Sequence, residues 1–161
     1  MYRILGIDPG SRVTGYGVID SSRQKNQYVA SGCIRTESKD FPERLGEIFN
    51  GLRAVIADTQ PDQVGIEQVF VAKNAGSALK LGQARGAAIT AAVTVQLPIY
   101  EYTPRAVKQA IVGTGAADKH QVQHMVKLLL SRQQTMGMDE SDALAIALCH
   151  AHSQPLLRKL T

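Results

Sequence analysis

The order of apolar runs predicts an α/β fold, a mixed five-stranded sheet with three antiparallel strands, then two parallel ones, and helices on both faces. Three observations predict it. Three strand-like runs open the chain with short links between them, as in an antiparallel meander. From Phe41 onward, helical and strand-like runs alternate, which implies parallel pairing for the later strands. The 161 residues show no internal repeat, linker or low-complexity stretch, so residues 1–161 read as a single domain with its own core.

Tyr2 to Asp8 is the first strand, apolar until its final carboxylate. Pro9 and Gly10 then make a tight turn, since Pro presets φ and Gly accepts a positive one. Val13 to Asp20 is the second strand and, after the polar turn Ser21 to Asn26, Tyr28 to Thr36 is the third. Phe41 to Thr59 is helical, because Leu45, Ile48, Leu52, Val55 and Ile56 recur at helical spacing and Pro42 sits where a first turn tolerates it. Pro61 ends it, and Asp62 to Gln68 forms a short strand. Ala75 to Val95 is a helix rich in Ala and Gly. A strand, Ile99 to Tyr102, and helices Arg105 to Ile111, Asp118 to Leu130 and Asp139 to about His152 complete the order.

Hydrophobic residues make up 44% and charged residues 20%, as in ordinary globular proteins. No apolar run reaches the roughly 18 residues of a membrane span, and the first residues lack the layout of a secretion signal. Cys33 and Cys149 have no paired spacing and read as buried thiols, so the expected location is the cytoplasm. Net charge is +4, unevenly spread. Thr36 to Glu67 holds seven acids against three bases, whereas Lys73 to Arg132 holds eight bases against two acids, a net +6 that fits a polyanion partner.

Asp8 ends one apolar strand and Glu67 ends another. Asp139 and Asp142 lie three apart at the start of the last helix, on one face of it. Each has an ordinary reading: Asp8 as a turn former, the helical pair as a cap and its box. Together they read differently. Strand ends and a helix start can converge at one sheet edge, where four carboxylates would repel and raise one another's pKa values. Divalent cations make such a cluster sensible, and two of them about 4 Å apart can activate water and stabilise a leaving oxygen in phosphodiester cleavage.

The segments GIDPGSRVTGYGVI, IEQVFVAKNAGSALKLGQARG, PRAVKQAIVGTGAADKHQVQHMV and DESDALAIAL, in that order, resemble the RuvC Holliday-junction resolvases of bacteria over nearly the whole chain. The resemblance implies a ribonuclease-H-like fold and a homodimer that nicks two opposing strands of four-way junction DNA with Mg²⁺ or Mn²⁺, two ions per active site. It implies that Asp8, Glu67, Asp139 and Asp142 are the catalytic and metal-binding carboxylates. Some members carry His at the third acid; here it is Asp139. It also implies that Phe70 stacks on an unpaired base, that Lys108 and Lys119 contact DNA phosphates, and that a branch-migration motor is a partner.

Other residues keep two readings. His120 and His124 have zinc-ligand spacing but no third ligand. On their basic helix they can instead bind phosphate. Gly113 and Gly115 have the look of a phosphate loop without its lysine. Gly15 and Gly17 admit either close approach of DNA or a partner helix, or a simple strand twist. The small residues of Ala84 to Ala92 fit packing on the sheet or across a dimer seam. A nucleotide-binding phosphotransferase of the actin-like type would need a second domain and a second Gly-rich hairpin. A non-catalytic junction binder would gain nothing from acids facing phosphate.

Overall fold

The computed structural model describes residues 1–69 and 74–157, the side chains of 155–157 excepted. Five strands form one sheet in the order β3-β2-β1-β4-β5. They are β1 (Tyr2–Asp8), β2 (Val13–Ser21), β3 (Asn26–Arg35), β4 (Gln63–Glu67) and β5 (Ile99–Tyr102). Strand β2 pairs antiparallel with both β1 and β3, while β4 pairs parallel with β1 and with β5, as the element order predicts. The helices are α1 (Phe41–Thr59), α2 (Ala75–Val93), α3 (Pro104–Val112), α4 (Lys119–Leu129) and α5 (Met138–Leu157).

Local chemistry sets the helix starts. Asp40, Asn74 and Thr103 each accept a hydrogen bond from a first-turn amide of α1, α2 and α3. Asp118 is the N-cap of α4, in a reciprocal box with Gln121, rather than its first helical residue as predicted. Gly113 closes α3 with φ of 86°, so it serves as a helix end and not as a phosphate loop. Helix α5 runs past the predicted end at His152 to Leu157. The Ser153 hydroxyl bonds back to the Cys149 carbonyl there.

Two cores lie on opposite sides of the sheet. Leu5, Ile7, Val18, Val64 and Ile66 meet α1 through Ile48, Leu52 and Ile56, and α2 through Ala84, Ala88, Ala91 and Ala92. The small residues of α2 therefore pack within the chain's own core. Ile4 and Ile19 meet Val107 and Ile111 of α3, Val122 and Val126 of α4, and the buried run Leu144 to Cys149 of α5. Cys149 is buried as expected, but Cys33, on the edge strand β3, is only half-buried; neither is in a disulfide.

At three glycines there is no room for a side chain between α5 and the sheet. A Cβ on Gly6 would lie 2.0 Å from the Ala143 carbonyl oxygen, and one on Gly15 would lie 2.1 Å from that of Asp139. On Gly17 it would stand 2.6 Å from Leu144. The spaced glycines of β2 thus admit the last helix of their own chain, so neither a strand twist nor an approach of DNA is needed to explain them.

Candidate active site

Side chains alternate along a strand. Gly6 faces α5, so Asp8, two residues on, faces the same side; Gly65 faces Ile146 and His150 of α5, so Glu67 does too. The parallel register sets Ile7 beside Ile66, which makes Asp8 and Glu67 neighbours on the next rung. The seat of α5 on Gly15 and Gly6 brings its first turns over the same spot.

The result is a cleft of about 220 Å³ lined by Asp8, Glu67 and Asp142 together with Lys108 of α3 and Lys119 of α4. The Lys119 Nζ lies 3.9 Å from Asp142 Oδ2, its side chain 71% exposed. Asp139 does not line the cleft. It stands at its margin over Gly15, where its charge is still felt by Asp8 and Asp142. A larger, mostly apolar hollow of about 640 Å³ lies at the far end of β1, around Met1, Tyr2, Ile4 and Ala151. It carries no carboxylate, so the chemistry belongs to the smaller cleft.

The acids are held at a cost. Burial pushes Asp8 up to about 7, the charges of Asp142, Glu67 and Asp139 add to it, and Lys119 opposes. Burial likewise raises Glu67, with Asp142 adding and Lys119 and Lys108 opposing. Burial raises Asp142, against Lys119. Neither helical acid acts as a cap: among the described residues, the first-turn bond of α5 runs from the Ser141 N–H to the Gly137 carbonyl. The ordinary reading of Asp139 and Asp142 therefore has no hydrogen bond behind it.

The donor set fits a hard cation. It is all oxygen, negatively charged and short of compensating charge. Among the described residues, no three His, Cys, Asp or Glu groups are drawn tightly enough to hold an ion unaided. Hard divalent cations can take one or two carboxylates and leave the rest to water and substrate phosphate.

His120 and His124 both stand exposed on α4, outside this cleft. Phe70 lies outside the described residues. Three supporting features escaped the sequence reading. Glu140 accepts from the Ser31 hydroxyl at 2.7 Å, Ser31 bonds Tyr28 at 3.1 Å, and the Arg132 guanidinium lies 3.7 Å over the Tyr28 ring, which ties the first turn of α5 to β3. His150, fully buried, bonds the Tyr102 hydroxyl through Nδ1 at 2.5 Å and Gln63 through Nε2 at 2.8 Å. Burial holds its pKa down at about 4, so it is neutral at pH 7. Its spacing from Asp142, two helical steps of four, was the signal that it faces the sheet. Arg85 of α2 donates to the Glu67 carbonyl at 3.1 Å.

Similarity to known proteins agrees with this geometry. Residues 4–150 match the family model described as Crossover junction endodeoxyribonuclease RuvC. The chain is 59% identical over 154 residues to the protein of that name from Vibrio vulnificus strain CMCP6, which covers 96% of this chain and 89% of the relative. It is 55% identical over 161 residues to that of Methylococcus capsulatus, covering 100% and 97%. Among solved structures, Thermus thermophilus RuvC in complex with Holliday junction substrate matches with a TM-score of 0.90 at 33% identity, over 97% of this chain and 96% of that one.

Proposed function

The chain belongs to the RuvC family of crossover junction endodeoxyribonucleases, and from that premise we propose that it resolves four-way DNA junctions by paired, symmetric nicks on opposing strands, leaving ligatable ends. We propose further that Mg²⁺ is its metal, two ions per site with Mn²⁺ as a substitute, held by Asp8, Glu67, Asp139 and Asp142. The observation that carries this reading is the cleft in which buried carboxylates with unmet charge face two lysines.

Asp8, Glu67, Asp139 and Asp142 would hold the metal, whose chemistry when bound would be to activate a water and offset charge on the departing oxygen. The protein's own residues do the rest. Asp8 and Glu67, on adjacent rigid strands, present their oxygens from one side, and Asp142 presents its own from the helix above. Lys108 and Lys119 offer point charges to the phosphates flanking the scissile bond and, in this reading, set the register of the backbone without reading bases. Phe70, three residues past β4 on the chain, would stack on an unpaired base at the junction centre. A two-fold dimer of this chain would set two such sites against a two-fold-symmetric junction. A branch-migration motor is the expected partner by family.

A synthetic mobile junction with Mg²⁺, beside Asp8→Asn and a linear duplex, tests the reading. Paired nicks in the junction alone, lost in Asp8→Asn while binding survives, are the expected result. Junction binding without cleavage under several metals and junction sequences would make the chain a binding module and overturn the catalytic assignment.

A further inference from the structure

The sheet ladder gives out at the Glu67 carbonyl, and we infer that Arg85 is a positioning residue that holds this carbonyl and, through it, the Glu67 carboxylate. The inference rests on the reading of Glu67 as a metal ligand.

The backbone directions set the problem. The Val64 N–H donates to Pro98 at 2.9 Å and the Gln68 N–H to Tyr102 at 2.7 Å, so even-numbered residues of β4 turn their backbone groups toward β5. The Glu67 carbonyl therefore turns toward β1. On β1, Arg3 turns toward β4, its carbonyl accepting from the Asp62 N–H at 2.8 Å, and by alternation Leu5, Ile7 and the next odd position do the same. With Ile7 beside Ile66, the residue that would donate to the Glu67 carbonyl is Pro9. Proline has no N–H. The turn that presents Asp8 thus deprives its neighbouring strand of a ladder donor, and a backbone carbonyl so placed needs another partner.

Arg85 supplies it. Its Nε donates to the Glu67 carbonyl at 3.1 Å, and the adjacent Nη2 is ion-paired with Glu101 of β5. Glu101 stands beside Ile66 in the β4–β5 register, so the arginine spans helix α2 and both strands at the point where β4 ends. The Arg85 side chain is 18% exposed and two nitrogens of its fork, Nε and Nη2, are engaged by different partners, which marks it off from Lys119 at 71%. Arginine's fixed planar fork suits a role in which two partners must be held at once, and lysine could hold only one of them well. Without it, the peptide after Glu67 is held only by its N–H bond to Tyr102, its carbonyl is left unpaired, and the carboxylate sits less firmly beside Asp8.

The test compares Arg85→Gln, Arg85→Lys and Glu101→Gln with the parent chain and with Glu67→Gln. Single-turnover nicking is followed across a Mg²⁺ titration, junction affinity is measured in EDTA, and melting is recorded for each. Arg85→Gln is expected to lower the saturated nicking rate about 10- to 100-fold and to raise the Mg²⁺ needed for half-maximal rate, as loss of a ligand's supporting hydrogen bond does. Junction affinity in EDTA is expected to stay within about twofold, because phosphate contacts elsewhere carry it. Arg85→Lys should recover part of the rate, and Glu101→Gln should lose less than Arg85→Gln.

A parental rate and Mg²⁺ dependence in Arg85→Gln would overturn the inference. So would a weakened junction affinity with a shallower salt dependence, which marks a phosphate contact. A lower folded fraction with an unchanged Mg²⁺ midpoint would make Arg85 merely structural. If Arg85→Gln does not fold, Glu101→Gln, which keeps the arginine, carries the same readouts. Glu67→Gln separates the two levels: if it nicks normally, the metal-ligand reading fails, whereas if it is inactive beside a normal Arg85→Gln, only the role of Arg85 fails.

Discussion

Against one face of the sheet, α1 and α2 stand off on Leu5, Ile7 and Val18; against the other, α5 lies on Gly6, Gly15, Gly17 and Gly65. The first face is ordinary packing, in which volume matters and contacts can rearrange. The second brings helix backbone close to strand backbone at Gly6, Gly15 and Gly17, and none of these three can be enlarged without moving the helix. The carboxylates sit on the second face. The contrast teaches that one side of the sheet chiefly supplies stability, while the other supplies distance: it fixes how far Asp139 and Asp142 stand from Asp8 and Glu67.

The widest break in that comparison comes from adding one methyl. Gly6→Ala would set a Cβ 2.0 Å from the Ala143 carbonyl oxygen and 2.7 Å from the Ala147 nitrogen. The expected loss, on the order of 4 kcal/mol or more, is read by urea denaturation, together with loss of nicking. Leu52→Ala on the other face should cost about 2–5 kcal/mol by the cavity it leaves. Its folded fraction should still nick. A stable, active Gly6→Ala would end the distinction between the faces.

The second effect has the opposite sign. Asp8 has a folded pKa of about 7 against an ordinary 3.8, so its ionisation opposes folding in metal-free protein. The penalty is absent below about pH 4, grows as pH rises, and is complete above about 7. At about 1.4 kcal/mol per unit the shift sets a ceiling near 4 kcal/mol, and the sharing of protons among neighbouring acids brings the expectation to roughly 2. Metal-free Asp8→Asn should therefore be the more stable protein at pH 8, with the gap closing toward pH 4. Added Mg²⁺ should stabilise the parent chain more than the variant. Equal denaturation midpoints at both pH values would mean that the cleft does not strain its acids.

The smallest effect sharpens the comparison from outside both faces. A Cβ at Gly46, on the exposed side of α1, would meet nothing within 4 Å. Gly46→Ala should gain roughly 0.5–1 kcal/mol through helix propensity and leave nicking unchanged. A loss there would show that glycine on this helix has a role beyond its conformational freedom.

The strands, their pairing sense and the presence of the helices were legible because period-two and period-3.6 patterns report burial directly. Asp8 and Glu67 were legible for a related reason: a charge at the end of an apolar strand breaks the pattern at one point. The glycines of β2 were visible but their neighbour was not, because a missing side chain does not say what fills the space. Gly113 had the look of a phosphate loop because a left-handed helix end and a phosphate turn both call for glycine. Arg85 was counted with the basic surface. Its partner is a backbone carbonyl, and only the register of β4 against Pro9 reveals that the carbonyl needs one. His150 was passed over for His120 and His124, whose spacing resembles a metal pair but whose side chains face solvent.

The glycine seat of α5 also bears on how the molecule comes into being. Asp8 is made early in synthesis and Asp142 late, and they meet only when α5 settles onto β1 and β2. A chain still on the ribosome can pair β1 with β2 and cover the opposite face with α1, yet it owns no acid cluster. A cleft with all its acids therefore arises last, as a product of the final docking step, and partly made chains keep Asp139 and Asp142 away from Asp8 and Glu67.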